Sequence, residues 1–397
     1  MTTATIDLLD LDRFQRLEHH AMFERLRAED PVSWHEYPGE PGFWNVVTHE
    51  DILTVSRDSE LFSSESGGVM IMNPEAQGGF DTRGLMMLYT DPPRHTRYRR
   101  LVSKGFTPRM IGMIEQYLRN RSHLIVDNII ERGQCDFVVD LASELPLQAI
   151  ADLMGVPQED RGKLFEWSNQ MMSYDDPDYD DQPDVAAAEI LAYFMAMAED
   201  RKANPRDDLV TKLITADIDG HALNEDEFGY FTIMLTVAGN ETTRNAITHG
   251  MNAFFDHPEQ WELFKASRPD TAADEIVRWA TPITVFQRTA TRDVELGGQQ
   301  ITAGQRVGLF YRSANFDEEV FAEPGRFEIS RSPNPHLGYG GLGTHYCLGA
   351  SLAKLEIDLI FNAIADAMPD IAKAGDPVRL RSGWINCIKS LPVTYRP

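Results

Sequence analysis

The chain has 397 residues, 42% of them hydrophobic, enough for one large core or two merged subdomains. Lysine and arginine total 37 against 62 aspartates and glutamates, a formal charge of −25 that disfavours nucleic acid and anionic membrane surfaces as partners. Three cysteines, Cys135, Cys347 and Cys387, are too few and too scattered for a disulfide framework or a zinc site, and they fit a reducing cytosol.

Residues Met1 to Arg13 carry no basic segment leading into an apolar run, and no stretch approaches about 18 uninterrupted apolar residues, so no secretory signal and no membrane span is expected. The chain reads as soluble and cytoplasmic. Phe43 to Val47, followed by Thr48 and His49-Glu50-Asp51, predicts a strand handing over to a capped helix. Asp91-Pro92-Pro93 opens another helix, because Asp can cap the first free N–H groups and Pro is tolerated where the helix has no donor to lose. His95 and Arg99 then lie one turn apart on one face, where two donors can share an anion. The aspartates Asp175, Asp176, Asp178, Asp180 and Asp181 form the one biased patch, and they read as a solvated loop.

Phe228, Phe231, Leu235, Ala238 and Thr242 recur at three- and four-residue steps, predicting a long apolar helix with Ala238 and the Thr242 hydroxyl on one face. Gly239 costs such a helix about 1 kcal/mol relative to alanine. Beside the polar run Asn240-Glu241-Thr242-Thr243-Arg244, it suggests that something needs room there. Thr271-Ala-Ala-Asp274 reads as a capping box, and Glu275 and Arg278 follow at a pairing distance of three residues. Val294-Glu-Leu296, Gly297-Gly298 and the apolar run Arg306 to Phe310 suggest a small sheet element. The whole is α+β with helix in excess.

Leu337-Gly-Tyr-Gly-Gly-Leu-Gly-Thr-His-Tyr-Cys347-Leu-Gly-Ala350 is a glycine-rich loop that runs into a helix and presents one cysteine at the junction. Helix N-terminal N–H groups lower a thiol's pKa, and glycines let the backbone approach a flat ligand. A lone thiolate presented this way suits haem iron. The final helix is expected to begin at Cys347, with Leu348, Leu352, Leu355 and Leu359 as its core stripe and Met368-Pro369 as its stop.

Taken in this order, the pieces resemble a cytochrome P-450. The proximal haem loop matches Gly343-Thr-His345-Tyr-Cys347-Leu-Gly349, the oxygen-activating helix matches Ala238-Gly-Asn-Glu241-Thr242-Thr243, the Glu-x-x-Arg pair matches Glu275 and Arg278, and Asp91 to Arg99 looks like the start of the third long helix. The resemblance covers nearly the whole chain, so residues 1–397 are expected to form a single haem domain of mainly α, P-450 fold. It implies haem b with Cys347 as axial thiolate, His95, Arg99, Arg288 and His345 as propionate donors, and Ala238 and Gly349 against the porphyrin. Arg331 would join Glu275 and Arg278 in a charged triad. The loop departs from the usual pattern at Gly340, where an aromatic is expected, and Tyr339 one position earlier is a substitute shield for the sulfur.

The resemblance further implies a monooxygenase that splits dioxygen, with Glu241 as proton source and Thr242 as the donor beside the bound oxygen. Electrons would come from a separate ferredoxin served by an NAD(P)H-dependent ferredoxin reductase, guided by Arg94, Arg97, Arg100, Lys104 and Arg109. The runs from Ala272 to Pro282, Phe286 to Ala290, Phe310 to Val320 and Arg381 to Trp384 look most like the actinobacterial hydroxylases of the terminal methyl of cholesterol and cholest-4-en-3-one. Val69, Met70, Ile71, Met72, Val237, Ala238, Thr284, Val285, Phe286 and Trp384 would then wall a sterol-shaped funnel. Branched fatty acids or terpenoids are the alternative substrates, and a hydrogen-peroxide-driven peroxygenase is the alternative chemistry.

Overall fold

The computed structural model of the chain describes residues 6–71, 84–103, 106, 108–173, 175–179, 183–217 and 222–396. In chain order the N-terminal part holds α1 (Leu11–Gln15), α2 (His19–Glu29), β1 (Val32–Tyr37), β2 (Glu40–Val46), α3 (His49–Arg57) and β3 (Phe62–Ser63). A helical middle follows: α4 (Arg94–Ser103), α5 (Pro108–Ile130), β4 (Gln134–Asp136), α6 (Glu144–Met154), α7 (Arg161–Met172), α8 (Pro183–Ala203), α9 (Leu209–Ile214), α10 (Glu225–Asp256), α11 (Pro258–Ser267) and α12 (Ala272–Ala280). The last third carries β5 (Phe286–Ala290), β6 (Val294–Leu296), β7 (Gln299–Ile301), β8 (Arg306–Leu309), α13 (Tyr311–Ala314), α14 (Ala350–Ala367), β9 (Ala372–Lys373), β10 (Val378–Arg379), β11 (Ile388–Ser390) and β12 (Pro392–Thr394). Helix is in excess, as expected. Among the described residues no helix is long and apolar enough to cross a membrane.

Local chemistry sets several boundaries. Thr48 caps α3 by accepting from the Asp51 N–H, and Asn224 and Glu227 form a reciprocal capping box at the start of α10. Gly297 and Gly298, both at positive φ, make the two-residue turn between β6 and β7. The main sheet has the order β1-β2-β8-β5-β3, with β2 and β8 parallel and the other pairs antiparallel. One apolar cluster joins α5, α10, α12 and α14 through Ile125, Ile247, Phe254, Ile276, Ile357 and Phe361, and a second joins α10 to α6 and α8 through Phe231, Ile150, Ile190 and Phe194. Helix α10 passes through both. It is buried on most of its circumference, which marks a central helix rather than a surface one.

Four expectations change on contact with the structure. The Thr271 hydroxyl donates to the Ile329 carbonyl instead of capping α12, so no capping box forms there. Asp91 likewise turns away from α4, its carboxylate accepting from the Ser63 hydroxyl and the Ser64 N–H. Helix α14 begins at Ala350, not Cys347, because Gly349 holds the cap position and the backbone before it stays in turns. The acidic patch is not simply solvated. Asp176 is buried and accepts from Lys389 at 2.9 Å and from the Arg381 N–H at 2.9 Å, while Asp178 pairs with the same lysine at 2.6 Å. Asp180 and Asp181 lie outside the described residues.

Glu275 and Arg278 form the expected charged centre, and both are fully buried. Two parallel contacts of 2.8 Å join them, Arg331 adds a third at 3.2 Å, and the remaining Arg278 donors reach the carbonyls of Asn315, Pro324 and Arg326. Every charge is answered by a partner, which is what makes such burial tolerable.

Candidate active site

A cavity of about 750 Å³ lies between α10, the start of α14, the cysteine loop and β5. Cys347 forms part of its wall. Its sulfur accepts from the N–H groups of Gly349 and Ala350, and its own N–H donates to the Tyr339 carbonyl at 3.0 Å. Burial nevertheless pushes the thiol up, against the opposing pull of the Gly349 N–H, the Arg99 charge and the Ala350 N–H. The helix-terminal N–H groups and the Arg99 charge favour the thiolate against burial, and a bound cation would favour it further.

The glycines of the loop have a second duty that sequence reasoning missed. A Cβ on Gly343 would meet the Ser56 carbonyl oxygen at 2.0 Å, and one on Gly341 would meet the Ser56 side chain at 2.4 Å, so these glycines let the loop press onto α3. Tyr339 lies on the cavity wall beside Cys347, as its substitute role requires. Its buried hydroxyl has no hydrogen-bond partner among the described residues.

His95, Arg99, Arg288 and His345 converge on one side of the cavity. The two imidazole rings stand 4.2 Å apart, Ser64 Oγ reaches His345 Nε2 at 3.1 Å, and Arg288 donates to the Gln287 carbonyl at 2.7 Å. Burial, then the Arg99 charge, hold His95 at about 4, and burial with Arg288 holds His345 well below its usual range. Among the described residues none of the four is paired with an acid, and His95 Nδ1 is buried without a partner. Buried donors and cations without a counter-charge call for an anionic ligand. Together with a thiol on the wall and the small residues Ala238, Gly239 and Gly349, this donor set fits a haem whose two propionates meet the four side chains.

Across the cavity, Thr242 lines the wall and donates to the Ala238 carbonyl at 2.9 Å. Helix α10 runs unbroken here, and a Cβ on Gly239 would meet Ile150 at 3.2 Å, so the glycine makes room for α6 as well as for the cavity. Glu241 does not share the wall with Thr242. It is buried on another side of α10, ion-paired with Arg244, because consecutive helical residues point about 100° apart. Burial raises its carboxyl against the pull of Arg244.

A cytochrome P450 family model matches residues 270–365, the stretch that holds the buried triad and the cysteine loop. A steroid C26-monooxygenase of Mycolicibacterium smegmatis is 53% identical over 399 residues, covering 98% of this chain and 93% of that protein. The chain belongs to the cytochrome P450 family. A methyl-branched lipid omega-hydroxylase of Mycobacterium tuberculosis is 43% identical, covering 94% of this chain and 90% of that protein. Among solved structures, a Mycobacterium marinum cytochrome P450 in complex with pseudoionone superposes with a TM-score of 0.91 at 39% identity, covering all of both chains.

The walls of this P450 are only partly those expected. Met70, Val237, Ala238, Phe286 and Trp384 do line the cavity. Val69, Ile71, Thr284 and Val285 do not. Val69 is fully buried, with its carbonyl taken by the Gln287 N–H, and Ile71 reaches toward Gly308. Val285 points the opposite way from Phe286, into the cluster of Phe23, Phe43 and Phe310, as strand-like alternation dictates, and the Thr284 backbone is engaged by Trp384 and Arg312. Met72 lies outside the described residues. The structure adds wall residues that sequence reasoning missed, among them Met86, Met87, Met171, Leu191, Ile233 and Met234. The methionine pairs were the available signal. It also adds Glu356, a carboxyl raised to about 8 by burial.

The basic group expected to guide a redox partner is partly spent on internal pairs. Arg94 contacts Glu65 at 3.3 Å and Arg97 contacts Glu227 at 2.9 Å, whereas Arg100 is exposed. Lys104 and the Arg109 side chain lie outside what is described.

Proposed function

We propose that the protein is a haem-thiolate monooxygenase that hydroxylates the terminal methyl of a steroid side chain, with cholesterol or cholest-4-en-3-one as substrate. The observation that carries this reading is 53% identity over nearly the whole chain to steroid C26-monooxygenases, against 43% for the methyl-branched lipid hydroxylase. The pocket agrees in character: its described lining is mostly apolar, rich in methionine, and large enough for an elongated hydrophobic molecule beside the porphyrin.

In this reading Cys347 ligates the iron of haem b, and His95, Arg99, Arg288 and His345 hold its propionates. Bound haem supplies the activation of dioxygen for insertion into an unactivated C–H bond. Thr242 positions a hydroxyl beside the reacting oxygen, and Glu241 supplies protons to it by way of water. Trp384, Phe286 and Val237 exclude water and aim the steroid tail. Electrons arrive from a ferredoxin and its NAD(P)H-dependent reductase, residues 1–397 act as one haem domain, and the protein works in the cytoplasm.

Turnover with cholest-4-en-3-one, a ferredoxin, its reductase and isotopically labelled dioxygen tests the proposal. One labelled hydroxyl on the terminal methyl is expected. A preference for phytanate would favour the branched-lipid alternative, and turnover with hydrogen peroxide but none with ferredoxin would make the protein a peroxygenase.

A further inference from the structure

Helix α4 has two working faces. His95 and Arg99, one turn apart, look into the Cys347 cavity, whereas Tyr98 and Val102 are fully buried in the apolar cluster shared with α10. Tyr98 stands edge-on to Phe231, with ring centres 5.1 Å apart, and its hydroxyl donates to Glu227 Oε1 at 2.5 Å. Arg97 Nη2 donates to the same oxygen at 2.9 Å. Glu227 and Phe231 are one turn apart on α10, so the carboxylate and the ring form a single seat for α4.

The seat is charged. Glu227 is buried, and its second oxygen accepts from the Asn224 N–H at 3.0 Å as half of the cap of α10. Hydrogen bonds to an ionised acceptor are roughly twice as strong as neutral ones, and burial keeps salt from screening them. The other ion pair that α4 makes among the described residues joins Arg94 to Glu65, whose side chains are 48% and 37% exposed, and it holds little. The fastening of the donor helix therefore falls mainly to Glu227.

We infer that Glu227 is a positioning residue for the haem: by fixing Tyr98 and Arg97 it sets α4 where His95 and Arg99 meet the propionates. The inference rests on the reading of His95 and Arg99 as propionate donors. Asp226 and Gly229, on either side of Glu227 in α10, line the cavity, and Glu227 does not, so it acts through α4 alone. One carboxylate thus serves two helices, closing the first turn of α10 and holding the haem-facing side of α4 in register with it.

Haem transfer from the loaded protein to apomyoglobin tests this. Glu227→Ala is expected to speed transfer about tenfold and Tyr98→Phe about threefold, with the double variant no faster than Glu227→Ala because both break the same contact. The propionate-bending bands of the resonance Raman spectrum are expected to move in these variants, which a general loss of stability does not cause. Glu227→Gln keeps the shape and an acceptor oxygen, so an intermediate rate is expected, and the test stands should the alanine variant fail to fold. Asn224→Ala weakens the same cap and leaves the contacts to α4, and a rate within about twofold of the parent is expected. A rise equal to that of Glu227→Ala would reduce Glu227 to a cap and overturn the inference. Arg99→Leu is the control. If it speeds transfer while the Glu227 and Tyr98 variants do not, the clamp falls and the donor reading stands; if it leaves transfer unchanged, the donor reading fails and the inference with it.

Discussion

Arg288 is the most telling single residue, because it is buried, unpaired with any acid among the described residues, and turned to the same cavity as Cys347. A charge-assisted hydrogen bond lost to a propionate is worth about 1.5 to 3 kcal/mol, so Arg288→Leu is expected to speed haem transfer to apomyoglobin by about tenfold or more. An unchanged transfer rate would remove Arg288 from the haem site. Thr242→Ala is expected to keep the substrate-induced spin shift but waste dioxygen, since the mutation deletes only the hydroxyl on the wall; coupling equal to the parent would count against its role. Glu275→Gln strands Arg278 and Arg331 in a dry core, at about 3 to 5 kcal/mol, read as a lower urea midpoint. These residues were legible because spacing and residue type together limit what they can do. Glu241 was legible as an acid but not in its facing, since the sequence step from 241 to 242 says nothing of which wall each side meets.

Helix α10 depends on its first turn as well as on its buried length. Removing the reciprocal cap with Asn224→Ala should cost about 1 kcal/mol with an unchanged denaturant slope, and faster amide exchange confined to the first turn of α10 is the local sign. No change in either would mean that packing alone fixes that end. The elements that announce themselves locally were the ones found: α10 and α14 by apolar periodicity and α3 by its Thr48 cap. The run from Arg306 to Phe310, expected to share a small sheet element with Val294–Leu296, instead lies in the main sheet between β2 and β5, and Gln299–Ile301 takes its place opposite β6. The elements that were misjudged are governed by distant partners. Asp91 and Thr271 looked like caps, yet their oxygens are claimed by Ser63, Ser64 and Ile329. Strand β2 pairs in parallel with β8, Phe43 beside Arg306, a register that no local pattern encodes. The Asp176 contacts with Lys389 and Arg381 likewise join the middle of the chain to its last strands, which turned a supposed solvated loop into a fixed one.

At the scale of the molecule, burial of neutral histidines sets an acid limit. His19 and His249 are buried, and burial, aided by Arg312 for His19 and by Arg379 for His249, holds both well below the usual imidazole range. Both folded-state values are depressed, so the unfolded chain takes up protons near pH ~6.5 that the folded chain refuses. Stability therefore falls as pH drops below about 6.5, by up to roughly 3 kcal/mol per pH unit for the two together. A urea midpoint clearly lower at pH 5.5 than at 7.5 is expected, and a constant or rising midpoint would contradict the assignment.

The measurement that bears most directly on the whole account is the absorption spectrum of the reduced, carbon monoxide-treated protein. The parent is predicted to show the Soret band at the position diagnostic of sulfur ligation, and Cys347→His to lose it while the donor cluster still retains haem. A purified chain that stays colourless with haem, or a parent band at the position of nitrogen ligation, would contradict the assignment of Cys347 and every step built on it.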